Sequence, residues 1–180
     1  MKWKLSILLL SLVVLIYFVG CGGGEKARKA QSVVDTPEIH YDRGKSLFDQ
    51  EKYPDALYEF QQAISLNPKF APAYEGMAWI NLEDGNLDQA MENANKALDL
   101  DGKWVLAKIV RSKVKAKQGK YEDAIKEAKD AINDVPKSTV PDKKRATVEG
   151  YMTLGDVYKE ANYYNEAQDA YSKVLELDQT

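Results

Sequence analysis

The chain has 180 residues, 44% apolar and 29% charged, which suits one globular or solenoid domain with a core of its own. Its formal net charge of −3 argues against a nucleic-acid partner, whose phosphates reward clustered positive charge. A single cysteine, Cys21, excludes an intramolecular disulfide, and a single histidine, His40, leaves no Cys/His cluster with metal-ligand spacing.

The chain opens with Met1-Lys2-Trp3-Lys4 and an uncharged apolar run from Leu5 to Val19. Two lysines before such a run match the n-region and h-region of a secretory signal. As a helix the run is about 22 Å long, short against a hydrocarbon core of about 30 Å. Phe18-Val19-Gly20-Cys21 follows. This tetrad resembles the lipobox of bacterial lipoproteins, although that family usually has Leu where Phe18 stands. The resemblance implies a signal peptide over residues 1–20, cleavage after Gly20, and a diacylglyceryl (palmitate-type) lipid on Cys21. Gly22 resembles the default for outer-membrane sorting, so the expected location is the bacterial envelope, anchored in the outer membrane and facing the periplasm. An uncleaved anchor or a free thiol are the alternatives. The mature chain would lose two lysines and keep all 28 acidic residues. Residues 21–36 are Gly-rich and then polar, a flexible linker of about 20 Å average span.

Helix hairpins are expected after Pro37. His40, Arg43, Gly44 and Leu47 share one helical face, a turn follows at Glu51-Lys52, and Ala56, Leu57, Phe60, Ala63 and Ile64 form an apolar stripe. Asn67-Pro68 ends that helix. The course repeats, with Ala78 answering Gly44, Asp84-Gly85-Asn86 at the turn and Gly102 at the close. It repeats again with Ser112, the turn Gln118-Gly119-Lys120 and Pro136. Residues 68, 102 and 136 are evenly spaced by 34, and a period of this size marks stacked supersecondary units.

Small residues at the eighth position, alanines at the twentieth and twenty-seventh, and Pro or Gly at the thirty-second closely resemble tetratricopeptide repeats. The resemblance implies an all-α, right-handed α-solenoid of four hairpins over residues 37–180, with repeats at about 37–70, 71–104, 105–138 and 148–180. Gly155 lies 43 rather than 34 residues beyond Ser112, so an insert is expected at 139–147. Pro141 makes part of it a loop, and Asp142 is placed to cap an early start of the next helix.

No catalytic constellation or cofactor motif stands out, and His40 is read as a packing residue. In this family the first helices of successive repeats line a concave groove. Carrying the ligand-facing positions over gives Tyr41, Lys45 and Phe48, then Glu75, Trp79 and Leu82. The third repeat gives Leu106, Ile109, Lys113 and Lys117, and the fourth Met152, Asp156 and Lys159. The paired Lys and Asn with which some members grip a terminal carboxylate are missing, since Tyr41 and Lys45 occupy those places in the first repeat. An apolar and cationic groove for a peptide or protein segment is implied.

Lys103, Lys108, Arg111, Lys113, Lys115, Lys117 and Lys120 occur without an intervening acid. A solvated face is the plain explanation, and a patch for an acidic partner or anionic lipid is the sharper one. At the other end, Tyr163, Tyr164 and Tyr171 either cap the last repeat or form a homo-oligomer or partner surface. The expected function is a non-enzymatic, lipid-anchored scaffold for a protein partner. A structural subunit of an outer-membrane, pilus or secretion complex, built in through the C-terminal repeat, is the competing class.

Overall fold

The computed structural model describes residues 35–178. The signal segment, Cys21 and almost all of the linker lie outside the described residues. The elements run α1 (Pro37–Phe48), α2 (Tyr53–Leu66), α3 (Ala71–Glu83), α4 (Leu87–Leu100), α5 (Val105–Lys117), α6 (Tyr121–Asp134), α7 (Lys143–Glu160) and α8 (Tyr164–Asp178), with a 3-10 turn at Val135–Lys137 before α7. Among the described residues there is no strand. Helices pair as the hairpins α1–α2, α3–α4, α5–α6 and α7–α8. Each hairpin packs on the next, while α1, α3, α5 and α7 also touch in succession and so form one layer. This is a right-handed α-solenoid of four hairpins, as the resemblance to tetratricopeptide repeats implies.

Local chemistry starts and stops these helices. Pro37, Pro54 and Pro72 sit in the first turns of α1, α2 and α3, where no intrahelical partner is needed for the missing N–H. Thr36 caps α1, its Oγ1 accepting from Ile39 N at 3.4 Å. Within each hairpin the turn forces the fifteenth repeat position into the left-handed region, with φ of 59° at Glu51, 76° at Gly85, 75° at Gly119 and 65° at Asn162. Two repeats meet that demand with glycine and one with asparagine, the residues that tolerate it best.

Packing inside each hairpin follows a size rule across 16 residues. A Cβ on Gly44 would lie 2.6 Å from Phe60, and one on Gly155 would lie 2.5 Å from Tyr171. Where the first helix carries Ala78 or Ser112 instead, the residue 16 further on is Ala94 or Ala128, and all four are fully buried. A glycine thus faces an aromatic ring and a slightly larger residue faces an alanine, so a ring enters the layer only where the facing residue has no side chain. Phe60 also fills the joint to the second repeat, since a Cβ on Gly76 would collide with its Cζ.

The insert differs in form from the sequence expectation. Only residues 138–142 are irregular between the 3-10 turn and α7, so residues 143–147 of the expected insert are helical and lengthen α7 to 18 residues. Asp142 Oδ1 accepts from Arg145 N at 2.8 Å, and Val140 and Ala146 are buried in one cluster with Trp104, Val105 and Val135. Burying two apolar residues gives the extra turn a reason to fold back on α5 rather than loop into solvent.

His40 packs as expected, and it also ties down the start of α1. Its Nδ1 lies 2.5 Å from Glu59 Oε2 and its Nε2 lies 3.0 Å from Asp35 Oδ1. The bond to Glu59 leads in holding its pKa above the usual histidine value, against the opposing effect of burial.

Candidate functional site

The layer formed by α1, α3, α5 and α7 brings the fifth and ninth repeat positions of successive hairpins side by side. Tyr41 and Glu75 are fifth positions, and Tyr41 Oη donates to Glu75 Oε2 at 3.3 Å. Trp79 and Lys113 are ninth positions, and Lys113 Nζ lies 5.0 Å from the centre of the Trp79 ring. Around them a cleft of about 250 Å³ opens, with Tyr41, Phe48, Trp79 and Leu106 as apolar wall and Lys45 and Arg145 among its charged residues. Phe48 and Trp79 rings approach to 6.5 Å between centroids, and Tyr41 packs against Phe60 and Phe70 at 5.8 and 5.9 Å. The wall residues are half-buried, so each is held by its neighbours and still offers surface.

Glu75 forms the floor and is only 4% exposed. Burial pushes its carboxyl up to about 7, partly offset by the Trp79 indole, the Tyr41 hydroxyl and the Trp104 indole, with the Glu149 charge adding to the rise. Trp104 Nε1 is itself buried and has no conventional hydrogen bond, so its influence on Glu75 is that of a nearby N–H dipole rather than a well-formed bond. The Tyr41 hydroxyl titrates well above its ordinary value, chiefly because it too is desolvated and then because Glu75 is near.

A second cleft of about 440 Å³ continues the groove between α3, α5 and α7, lined by Leu82, Lys117, Asp156 and Lys159 among others. Thus Tyr41, Lys45, Phe48, Trp79, Leu106 and Lys113 come together in the first cleft, and Leu82 and Lys117 in the second. Lys113 reaches both. Met152 is exposed but lines neither.

Several expectations need correction. Ile109 is fully buried and offers the groove no surface, because the fifth position of the third repeat points into the packed joint between hairpins. Leu82 is 8% exposed and belongs mainly to the cluster of Ala78, Ala90, Ala94, Val110 and Val114, so only its edge reaches the groove. Tyr171 is half-buried: it fills the space over Gly155 and its hydroxyl donates to Asp156 at 2.9 Å, so only part of it is left on the surface. Tyr163 and Tyr164 remain exposed, the first with its ring edge-on to Tyr158.

The basic run does not form a free cationic patch. Arg111 and Lys115 both pair with Glu127, which is 6% exposed, while Lys108 reaches Asp134 at 2.7 Å and Lys117 reaches Glu160 at 3.0 Å. Lys113 lies 4.0 Å from Glu149 and 3.7 Å from Asp156. Lys108, Arg111 and Lys115 turn to acids of α6 and Lys113 and Lys117 to acids of α7, which the linear spacing of the run does not reveal. Asp49, Glu83, Arg145 and Glu149, not among the residues named from the sequence, line the first cleft as well; Asp49 and Glu83 share a repeat position with Lys117, and Glu149 shares one with Leu106. Arg145 was hidden because it lies in the expected insert. Among the described residues no group of three His, Cys, Asp or Glu side chains is placed to hold a metal ion, and no helix is long and apolar enough to cross a membrane.

A family model described as tetratricopeptide repeat matches residues 41–103, and a second of the same description matches residues 148–180. The chain carries tetratricopeptide repeats. Tetratricopeptide repeat protein 6 of Homo sapiens is 30% identical over 137 residues, covering 75% of this chain and 24% of that protein. Hsp70-Hsp90 organizing protein 1 of Glycine max is 27% identical over 95 residues, covering 53% of this chain and 17% of that protein. The chain therefore spans less than a quarter of the length of either curated relative. Among solved structures, a thermophilic tetratricopeptide protein of Thermus thermophilus superposes with a TM-score of 0.67 at 21% identity, over 81% of this chain and 76% of that one. The pilF protein of Pseudomonas aeruginosa superposes with a TM-score of 0.64 at 18% identity, over 79% and 61%. At these identities the structural likeness speaks of the tetratricopeptide fold alone.

Proposed function

We propose that this chain is a non-enzymatic tetratricopeptide scaffold, lipid-anchored in the bacterial outer membrane, that holds a segment of a protein partner in its concave groove. The observation that carries the proposal is the cleft around Trp79, where four half-buried apolar side chains meet charged groups on a rigid helical layer. Such a mixture of aromatic anchors and polar rim suits a protein segment. The Hsp70-Hsp90 organizing protein among the relatives is named for bringing two proteins together, which fits the same class of work. Anchoring rests on Cys21 directly after the apolar run, and its effect would be to raise the local concentration of the partner at the membrane.

Photoreactive residues in place of Leu106 in the groove and of Tyr164 at the C-terminal end test the proposal in cells. Capture of a protein from position 106 supports it, and no capture from position 106 counts against it. Labelled fatty acid should enter the wild-type chain and not Cys21→Ser; equal labelling, or none in either, would remove the lipid anchor. A second reading has its own observation: Tyr164 and Leu175 are each 64% exposed on the last hairpin, which favours assembly into an envelope complex through that end. Capture from position 164 alone would select it.

A further inference from the structure

The scaffold reading names a groove and leaves open the chemistry of what enters it. The first cleft narrows that choice. Its floor is the carboxylate of Glu75, nine-tenths buried and more, whose neighbours are the Tyr41 hydroxyl and the indoles of Trp79 and Trp104. Every one of these is a neutral donor. Among the described residues no Lys, Arg or His nitrogen lies within salt-bridge distance of Glu75.

The cations that line the cleft do not answer this floor. Lys113 is taken up by the Trp79 face and by Glu149 and Asp156 on α7. Lys45 is half-buried, and Arg145 is exposed. The acids of the cleft are Asp49, Glu75, Glu83 and Glu149 against three bases, Lys45, Lys113 and Arg145. A buried carboxylate without a counter-charge is costly, and a cation arriving with its own hydrogen-bond donors would relieve that cost.

The walls select further. Tyr41, Phe48 and Trp79 present aromatic surface, which attracts a cation over the ring face and covers an alkyl stem. An incoming carboxylate would instead meet Glu75, with Lys113 already engaged. A planar guanidinium is weakly hydrated, stacks on aromatic rings and offers paired donors to a carboxylate. Building on the scaffold reading, we infer that the cleft around Glu75 receives a basic side chain of the partner segment, an arginine above all, with its head group on the Glu75 carboxylate and its stem against Tyr41 and Trp79. The groove thereby reads a basic residue, the opposite of a clamp for an acidic tail.

The test uses the full chain with labelled tryptophan indoles and three small probes: N-acetyl-arginine methylamide, its neutral citrulline counterpart, and N-acetyl-glutamate methylamide. The arginine probe should shift the Trp79 and Trp104 indole signals saturably. Citrulline should bind about tenfold more weakly, the effect of losing one charge-assisted hydrogen bond. Glu75→Gln should reduce arginine binding to the citrulline level while leaving the helical signal unchanged. Equal binding of arginine and citrulline to the wild-type chain, no saturable shift with arginine, or arginine binding undiminished in a folded Glu75→Gln chain would each overturn the inference. Preferential binding of the glutamate probe would also overturn it and leave the groove standing as a scaffold. The scaffold itself is tested separately, by cross-linking at position 106.

Discussion

Tyr41 and Glu75 stand one repeat period apart and are joined by a hydrogen bond of 3.3 Å across α1 and α3. The same repeat position thus holds a donor in one hairpin and an acceptor in the next, and the pair ties the first joint of the solenoid together. Because Glu75 is buried, that joint is sensitive to its charge.

In the unfolded chain Glu75 ionises near its ordinary value of 4.5, and in the fold near 7. Below pH 4.5 both states hold the proton and burial carries no ionisation penalty. As pH rises from 4.5 to about 7 the unfolded state gives up its proton first, so stability falls, by a limit of about 3 kcal/mol, and then levels off. Glu75→Gln keeps a hydrogen-bond acceptor for Tyr41 and cannot ionise. Urea titrations should therefore find the variant more stable than wild type by about 1–3 kcal/mol at pH 8 and little different at pH 4.5. A constant difference at both pH values would show that ionisation is not the cause.

The joint also depends on volume. Gly76→Ala would drive a Cβ into Phe60 Cζ, so the usual gain of about 1 kcal/mol for alanine in a helix is overridden by crowding that costs about 1–3 kcal/mol. Phe60→Ala leaves a cavity and should cost about 3–5 kcal/mol. Combined, the two should cost less than their sum, because the smaller side chain removes the clash that Gly76→Ala creates. Additive costs in thermal or urea unfolding would contradict this packing.

At the turn of the first hairpin, Glu51 occupies the left-handed region with φ of 59° where the second and third hairpins have glycine. Glu51→Gly should stabilise the chain by about 0.5–1 kcal/mol, relief of strain outweighing the greater freedom of glycine in the unfolded state. Asn162→Gly, at the matching position of the fourth hairpin, should change less, since asparagine adopts this conformation readily. Midpoints of denaturant unfolding compare the two directly.

Glu127 supports the third repeat by pairing with both Arg111 and Lys115, and Arg111 also reaches Asn95 at 3.0 Å. Glu127→Ala should cost about 2–3 kcal/mol, because it leaves two partly buried cations without their acceptor. Glu127→Leu, which fills the space but keeps the cations unpaired, should not recover the loss. A loss under about 0.5 kcal/mol would place this cluster with ordinary surface ion pairs.

The solenoid was legible in the sequence because its determinants are local and periodic: the even spacing of Pro68, Gly102 and Pro136, and the small residues at Gly44, Ala78 and Ser112. The capping role of Asp142 was legible for the same reason. What remained hidden depends on pairing between hairpins. The lysines of α5 look like one cationic run along the chain, yet the helix turns them alternately toward α6 and α7, where acids meet them. Tyr171 looks like an end-face residue until it is compared with Phe60, which stands at the same 16-residue distance from a glycine. Ile109 shares a repeat position with Tyr41, but stacking buries the middle of a solenoid more deeply than its first hairpin. Arg145 enters the cleft only because the insert folds as helix.

In the proposed function a partner segment is held in the groove around Trp79. Once a segment is captured by cross-linking from position 106, its affinity for the wild-type chain, Trp79→Ala and Tyr164→Ala decides the matter. Trp79→Ala should weaken binding by about 2 kcal/mol or more, the mark of an aromatic anchor, while Tyr164→Ala should leave it unchanged. Loss of binding on Tyr164→Ala with no effect of Trp79→Ala would contradict the account and move the working surface to the C-terminal hairpin.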